Sequence, residues 1–129
     1  MRSTLPLPVI SARVKVWLES DREYVFGMGI GNILKAVAQE GSIKGAAGVV
    51  GKSYRHIWTR IKETERALGF ALVETTVGGS DSRRSELTPA AETLVRQFDR
   101  LHRRVHQLVE KESGSILTAI GAARDAAAP

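Results

Sequence analysis

From Ala12 to Glu19 the chain alternates: Ala12, Val14, Val16 and Leu18 fall on one side, Arg13, Lys15, Trp17 and Glu19 on the other. A period of two is that of a strand with one covered face. Ser20-Asp21-Arg22-Glu23 then predicts a turn and Tyr24-Val25-Phe26 a short returning strand, so a β-hairpin opens the domain. The period changes after GMGIGN, residues 27–32. Ile30, Ile33, Leu34, Val37 and Ala38 keep the spacing of a helix with one buried face, and Gly41 stops it. Ser42 is placed to cap a second helix, in which Ile43, Ala46, Ala47 and Val50 form the apolar stripe and Gly51 the end. Ser53 caps a third, with Tyr54, Ile57, Trp58, Ile61 and Leu68 along one side and Gly69 as terminator.

Beyond Gly69, residues 71–75 predict a strand and residues 86–88 a shorter one, with the polar, glycine-rich stretch 76–85 between them as a flexible loop. Thr88 caps a long last helix whose first position is Pro89, where a missing N–H costs nothing. Along it Leu94, Phe98, Leu101, Val105 and Leu108 alternate spacings of four and three, the seam of a helix pair. The expected fold is mainly α with small β: a winged helix–turn–helix with an N-terminal β-hairpin, a two-stranded wing and a long C-terminal dimerisation helix. Its organisation is a flexible N-terminus at 1–11, the domain at 12–112 with the dimerisation helix at about 89–112, and a small-residue tail at 113–129. That tail is expected to be disordered, a weak helix around Ile116, Leu117 and Ile120 being the alternative.

Composition changes this picture little, but charge adds a partner. With 129 residues, one domain is the natural unit, and 43% hydrophobic residues are enough for its core. Nineteen Lys and Arg against fourteen Asp and Glu leave +5, which favours an anionic partner. The absence of cysteine excludes disulfides and thiolate metal sites. Two early prolines break any signal peptide and no apolar run matches a membrane span, so a cytoplasmic, nucleoid-associated protein is expected, with no membrane partner.

Two glycine patterns suggest nucleotides, and both fail on context. GMGIGN approximates the dinucleotide fingerprint, but its last glycine comes one residue early and no acidic residue ends a second parallel strand at the required distance. AAGVVGKS, residues 46–53, approximates a phosphate-binding loop, yet the residues feeding it, Glu40 to Gly45, are polar and glycine-broken where a buried strand is needed. A helix–turn–helix explains the same letters. Ala46 and Ala47 allow close helix crossing, and Gly51 supplies the left-handed turn. The second helix of the pair then offers Lys52, Ser53, Tyr54, Arg55, His56, Thr59, Arg60 and Lys62, with no acid before Glu63. Such a basic helix start suits phosphates and base edges. Ser42 and Lys44 from the preceding helix and Arg83 and Arg84 from the loop complete the expected DNA-binding set. Arg55 and Arg60 lead it, because arginine grips guanine or phosphate bidentately. Trp58 is expected in the core, and Tyr54 divides evenly between packing and contact.

The stretch EGSIKGAAGVVGKSYRHIWTRIKETERALGFALVETTVGG, followed by ELTPAAETLV, resembles the N-terminal winged helix–turn–helix domain of ModE-type molybdate-responsive transcription regulators. The likeness rests on GS before the second helix, the paired alanines, G-x-SY-x-x-x-W at the turn, LVET-x-x-GG and LTP, and it spans about residues 12–108. LysR-type regulators share parts of the pattern, and Ser53-Tyr54 with Trp58 fits ModE better. The resemblance implies a dimeric transcription regulator that sets residues 53–60 in the major groove with the wing beside them. Three departures accompany it. The chain stops short of the molybdate-binding domain that usually follows, so direct molybdate sensing is not expected and a separate effector-sensing protein is a further partner to consider. The wing is more basic than usual, and Lys52 stands where an apolar residue commonly packs.

His102 and His106 have metal-ligand spacing, but no third ligand is evident and a solvated helix face accounts for them. Nothing resembles a catalytic constellation, so neither enzyme activity nor a cofactor or metal is expected. The alternative function is a winged-helix interaction module docking an acidic protein partner through its basic face.

Overall fold

The computed structural model describes residues 5–78 and 83–127; residues 79–82, where the predicted wing loop has its middle, lie outside them, as do residues 1–4 and 128–129. The elements run β1 (Trp17–Ser20), β2 (Glu23–Gly27), α1 (Met28–Glu40), α2 (Ile43–Val50), α3 (Tyr54–Leu68), β3 (Val73–Val77), β4 (Arg83–Leu87) and α4 (Pro89–Ala127). Residues 16–100 form one compact unit; the N-terminal segment up to Lys15 and α4 from Leu101 onward form another.

Local signals set the helix boundaries of the first unit. Gly41, Gly51 and Gly69 each end a helix in the left-handed region, at φ 72, 76 and 84°. Ser42 Oγ accepts from the Gly45 amide at 2.9 Å and Ser53 Oγ from the His56 amide at 3.1 Å, so both predicted caps are made. Thr88 does two things: its Oγ1 accepts from the Ala91 amide at 3.1 Å and donates to the Ala71 carbonyl at 2.8 Å. It therefore joins the start of α4 to the chain entering β3.

The core gathers Val25 and Phe26 from β2, Ile30, Ile33, Leu34 and Val37 from α1, Ile43, Ala46 and Ala47 from α2, and Ile57 and Ile61 from α3. Leu72, Val73, Ala91 and Phe98 close it. The buried stripe of α1 includes Ala36, whereas Ala38, expected inside, is exposed; periodicity locates a stripe but not which flank its neighbours cover. Phe98 stands edge-on to Phe26 with ring centroids 5.2 Å apart, and Lys35 Nζ meets Asp99 Oδ1 at 2.7 Å, so the start of α4 is fastened to the core.

Both hairpins differ from the pattern-based expectation at their ends. β1 begins at Trp17 rather than Ala12, because Trp17 already pairs with Gly27, where the partner strand turns into α1. Residues 12–16 have no strand left to pair with, although Val14 and Val16 keep their half-buried side. Asp21 and Arg22 both take positive φ, 50 and 67°, the mirror-image turn that suits a two-residue hairpin. In the wing, β3 starts two residues late. Glu65 of α3 accepts from the Leu72 and Val73 amides at 2.7 and 3.2 Å and holds the chain just before pairing begins. The strands then continue to the pair Val77–Arg83, so Arg83 and Arg84 belong to β4 and not to a loop.

α4 has 39 residues and includes the stretch 113–127 that was expected to be disordered. Alanine-rich sequence with Ile116, Leu117 and Ile120 at helical spacing favours that continuation. In its unit the segment 5–15 lies along the helix in the opposite direction. The Ala12 amide donates to Ser113 Oγ at 3.0 Å and Arg124 Nη1 to the Leu5 carbonyl at 2.9 Å.

Candidate nucleic-acid interface

Gly51 is the hinge of the site. It accepts φ 76° without the steric cost of a β-carbon and donates its amide to the Ala47 carbonyl at 2.9 Å, while the Lys52 amide donates to the same carbonyl at 3.1 Å. The Ala47 carbonyl thereby accepts twice, and the chain re-enters a helix after Ser53. With Ile57, Ile61 and Thr64 buried, the opposite side of α3 faces solvent.

That side presents Ser53, Arg55, His56, Thr59, Arg60 and Glu63 around one shallow depression of about 420 Å³. Arg55 and His56 are exposed; Thr59 and Arg60 are half-buried. The Arg60 guanidinium lies beside the first turn of α1, with Nη2 3.6 Å from where a β-carbon on Gly29 would stand. Sequence spacing gives no hint of this contact, because the two residues meet only through the packing of α1 against α3.

A second depression, about 450 Å³, opens between the start of α2, the start of α3 and the wing. Ser42, Lys44, Tyr54, Thr75, Arg83 and Ser85 line it with Ile43, with no carboxylate among the described residues. Ser85 is anchored by its amide, 2.8 Å from the Gly41 carbonyl, and its hydroxyl lies 3.0 Å from Thr75 Oγ1. Thr75 and Ser85 went unnoticed in the sequence; their opposed register in the β3–β4 ladder brings them together. Arg84 points to the other face of the strand, with Nη2 4.0 Å from the β-carbon position of Gly41.

Several expected residues find other roles. Ser42 and Ser53 each accept one capping bond, and capping does not use their hydroxyl protons. Lys62 pairs with Glu65 at 3.2 Å and lies 5.8 Å over the Trp58 ring, so its charge is already partnered. Trp58 itself is 45% exposed and outside the core, a correction to the apolar-stripe argument. It sits at the edge of the stripe, under the Lys62 ammonium. Tyr54 is also exposed, at 43%. Of the five seam residues, Phe98 is buried in its own chain's core and Leu94 packs against that core, so neither is free for a partner. Leu101 and Leu108 remain exposed and Val105 half-buried. His102 and His106 stack with centroids 4.1 Å apart, and His106 Nε2 is buried with no hydrogen-bond partner among the described residues. No helix among the described residues is long and apolar enough to cross a membrane.

Comparison with known proteins matches residues 32–92 to the family described as bacterial regulatory helix-turn-helix protein, lysR family. Among curated proteins, the chain is 31% identical over 113 residues to the molybdenum transport protein ModE of Herbaspirillum seropedicae, covering 85% of this chain and 40% of that protein. It is 30% identical over 84 residues to the molybdenum-pterin-binding protein MopB of Rhodobacter capsulatus, covering 65% of this chain and 31% of that one. The chain thus spans well under half the length of these relatives. Among solved structures, it superposes on the crystal structure of a CbnR_DBD–DNA complex with a TM-score of 0.55 at 22% identity, covering 68% of this chain and 95% of that one. Full-length LysG of Corynebacterium glutamicum gives 0.50 at 24% identity, over 67% and 28% of the two chains. The structural likenesses establish the winged helix–turn–helix fold, with its small sheets and long C-terminal helix.

Proposed function

We propose that this chain is a member of the lysR family of bacterial regulatory helix-turn-helix proteins, whose pattern it matches through residues 32–92, and that it regulates transcription by binding duplex DNA as a dimer. The observation that carries the reading is the solvent-facing, basic start of α3, with Arg55 exposed and Arg60 half-buried, next to a groove under the wing lined by Lys44 and Arg83. In this reading α3 enters the major groove, Arg55 and Arg60 reach base edges or phosphate, and Lys44, Arg83 and Arg84 hold the backbone. Leu101, Val105 and Leu108 form the contact with a second copy, and the two recognition helices address half-sites about one helical turn apart. No catalytic role is assigned. The names of the relatives point the regulated process toward molybdenum, with the complex residing at the nucleoid.

Band-shift titration of the full chain on genomic fragments tests the reading. Affinity should fall by roughly 10³–10⁵ between 50 and 200 mM salt if six to ten phosphates are contacted. Binding of an acidic protein with no retention of duplex DNA at low salt would instead select the protein-docking alternative.

A further inference from the structure

The unit made by residues 5–15 and α4 from Leu101 onward has no interior. None of its described residues is buried, and it exposes Leu5 at 74%, Val9 at 96%, Leu108 at 59% and Ile116 at 47%. A helix with one extended segment against it is a single layer, and a single layer needs something to cover its apolar side. The segment is nevertheless specifically tied down. Pro6 and Pro8 keep it extended, Arg124 and Ser113 hold its backbone at two points, and Gly121 leaves space for Leu7, whose Cδ1 lies 3.5 Å from the β-carbon position. An arm fixed to its own helix while pointing Val9 into solvent is built to meet another surface.

That surface is identified by charge. Leu101, Val105, Leu108, Ile116 and Ile120 share one side of the helix by their spacing, with Arg104 one turn before Leu108 and Glu112 one turn after it. The ion pairs among the described residues use neither Arg104 nor Glu112. A two-fold crossing of two antiparallel copies at Leu108 brings Arg104 of each against Glu112 of the other, and Leu101 close to Ile116. The helix is self-complementary in this arrangement. We propose that residues 5–15 are a clasp in the dimer interface, each arm using Val9 and Ile10 to close over the helix of the second copy. This rests on the dimer stated above and adds a component outside the region matched to the family.

Sedimentation of the full chain tests it with two variants: Val9→Asp with Ile10→Asp, and Leu108→Asp. The wild type should be a dimer, and the arm variant should dissociate at about tenfold lower dilution or less, with helix content by circular dichroism unchanged. If Leu108→Asp dissociates while the arm variant matches wild type, the clasp is wrong and the dimer stands. If the wild type is monomeric throughout, both fall. The chain has no cysteine of its own, so a nitroxide on Val9→Cys gives a second reading that does not depend on a charged substitution. Its motion should be restricted in the dimer and freed on dilution; unchanged motion would overturn the clasp.

Discussion

Single residues carry both the recognition chemistry and a surprising share of the stability. Arg55 is exposed on α3 with no ion pair of its own among the described residues. Its side chain is therefore available at no cost of breaking an internal contact. Arg55→Ala should weaken specific DNA binding by about 1–3 kcal/mol and relax the preference at one base position, which competition band shifts with altered sites would measure. Arg60, half-buried beside α1, should also lose affinity on substitution. Glu65 is a stability residue that composition conceals. One carboxylate oxygen accepts two backbone amides at the entrance to β3, so Glu65→Ala leaves Leu72 and Val73 donors near the core without partners. Loss of about 1–3 kcal/mol in urea unfolding is expected. No local pattern predicts this bond, because the acceptor and donors are seven and eight residues apart across a helix end.

At the scale of elements, chain punctuation was legible and strand extent was not. Ser42, Ser53 and Thr88 cap where their side chains suggest, and Gly41, Gly51 and Gly69 stop the helices they follow. Each of these events is settled within about four residues, so a sequence window contains all the participants. Strands end where their partner ends, which is a question about another part of the chain. β1 lost five residues for that reason, while the wing gained Arg83 and Arg84. Gly51 gives a clean test of the turn. A β-carbon there meets nothing within 4 Å, so Gly51→Ala should cost about 1 kcal/mol of thermal stability through the left-handed φ alone. A much larger loss would mean that the turn is held by something other than backbone conformation.

Across the whole molecule, the long helix divides its labour along its length. Its first turns belong to the core, where Phe98 packs on Phe26 and Asp99 holds Lys35. Phe98→Ala should cost about 3–5 kcal/mol and lower the unfolding midpoint of the monomer itself. Leu108→Asp, on an exposed position, should leave that midpoint nearly unchanged at concentrations where the chain is monomeric. Unfolding followed at several protein concentrations separates the two effects, because only an interface substitution changes the concentration dependence. The heptad-like spacing of Leu94, Phe98, Leu101, Val105 and Leu108 merges these two roles into one stripe. Only the arrival of β2 against its first part tells them apart.

The amino-acid sequence alone determined the order of elements, the turn at Gly51, the caps, and the basic side chains at the start of α3. Those features depend on backbone conformation and hydrogen bonds between near neighbours, and such interactions are written in adjacent letters. Tertiary structure decided that Trp58 faces outward, that Phe98 faces inward, that Arg60 rests beside Gly29, and that Glu65 holds the strand entry. Each of these turns on which distant segment comes to lie alongside, and a hydrophobic stripe is equally ready to meet its own core or a second chain.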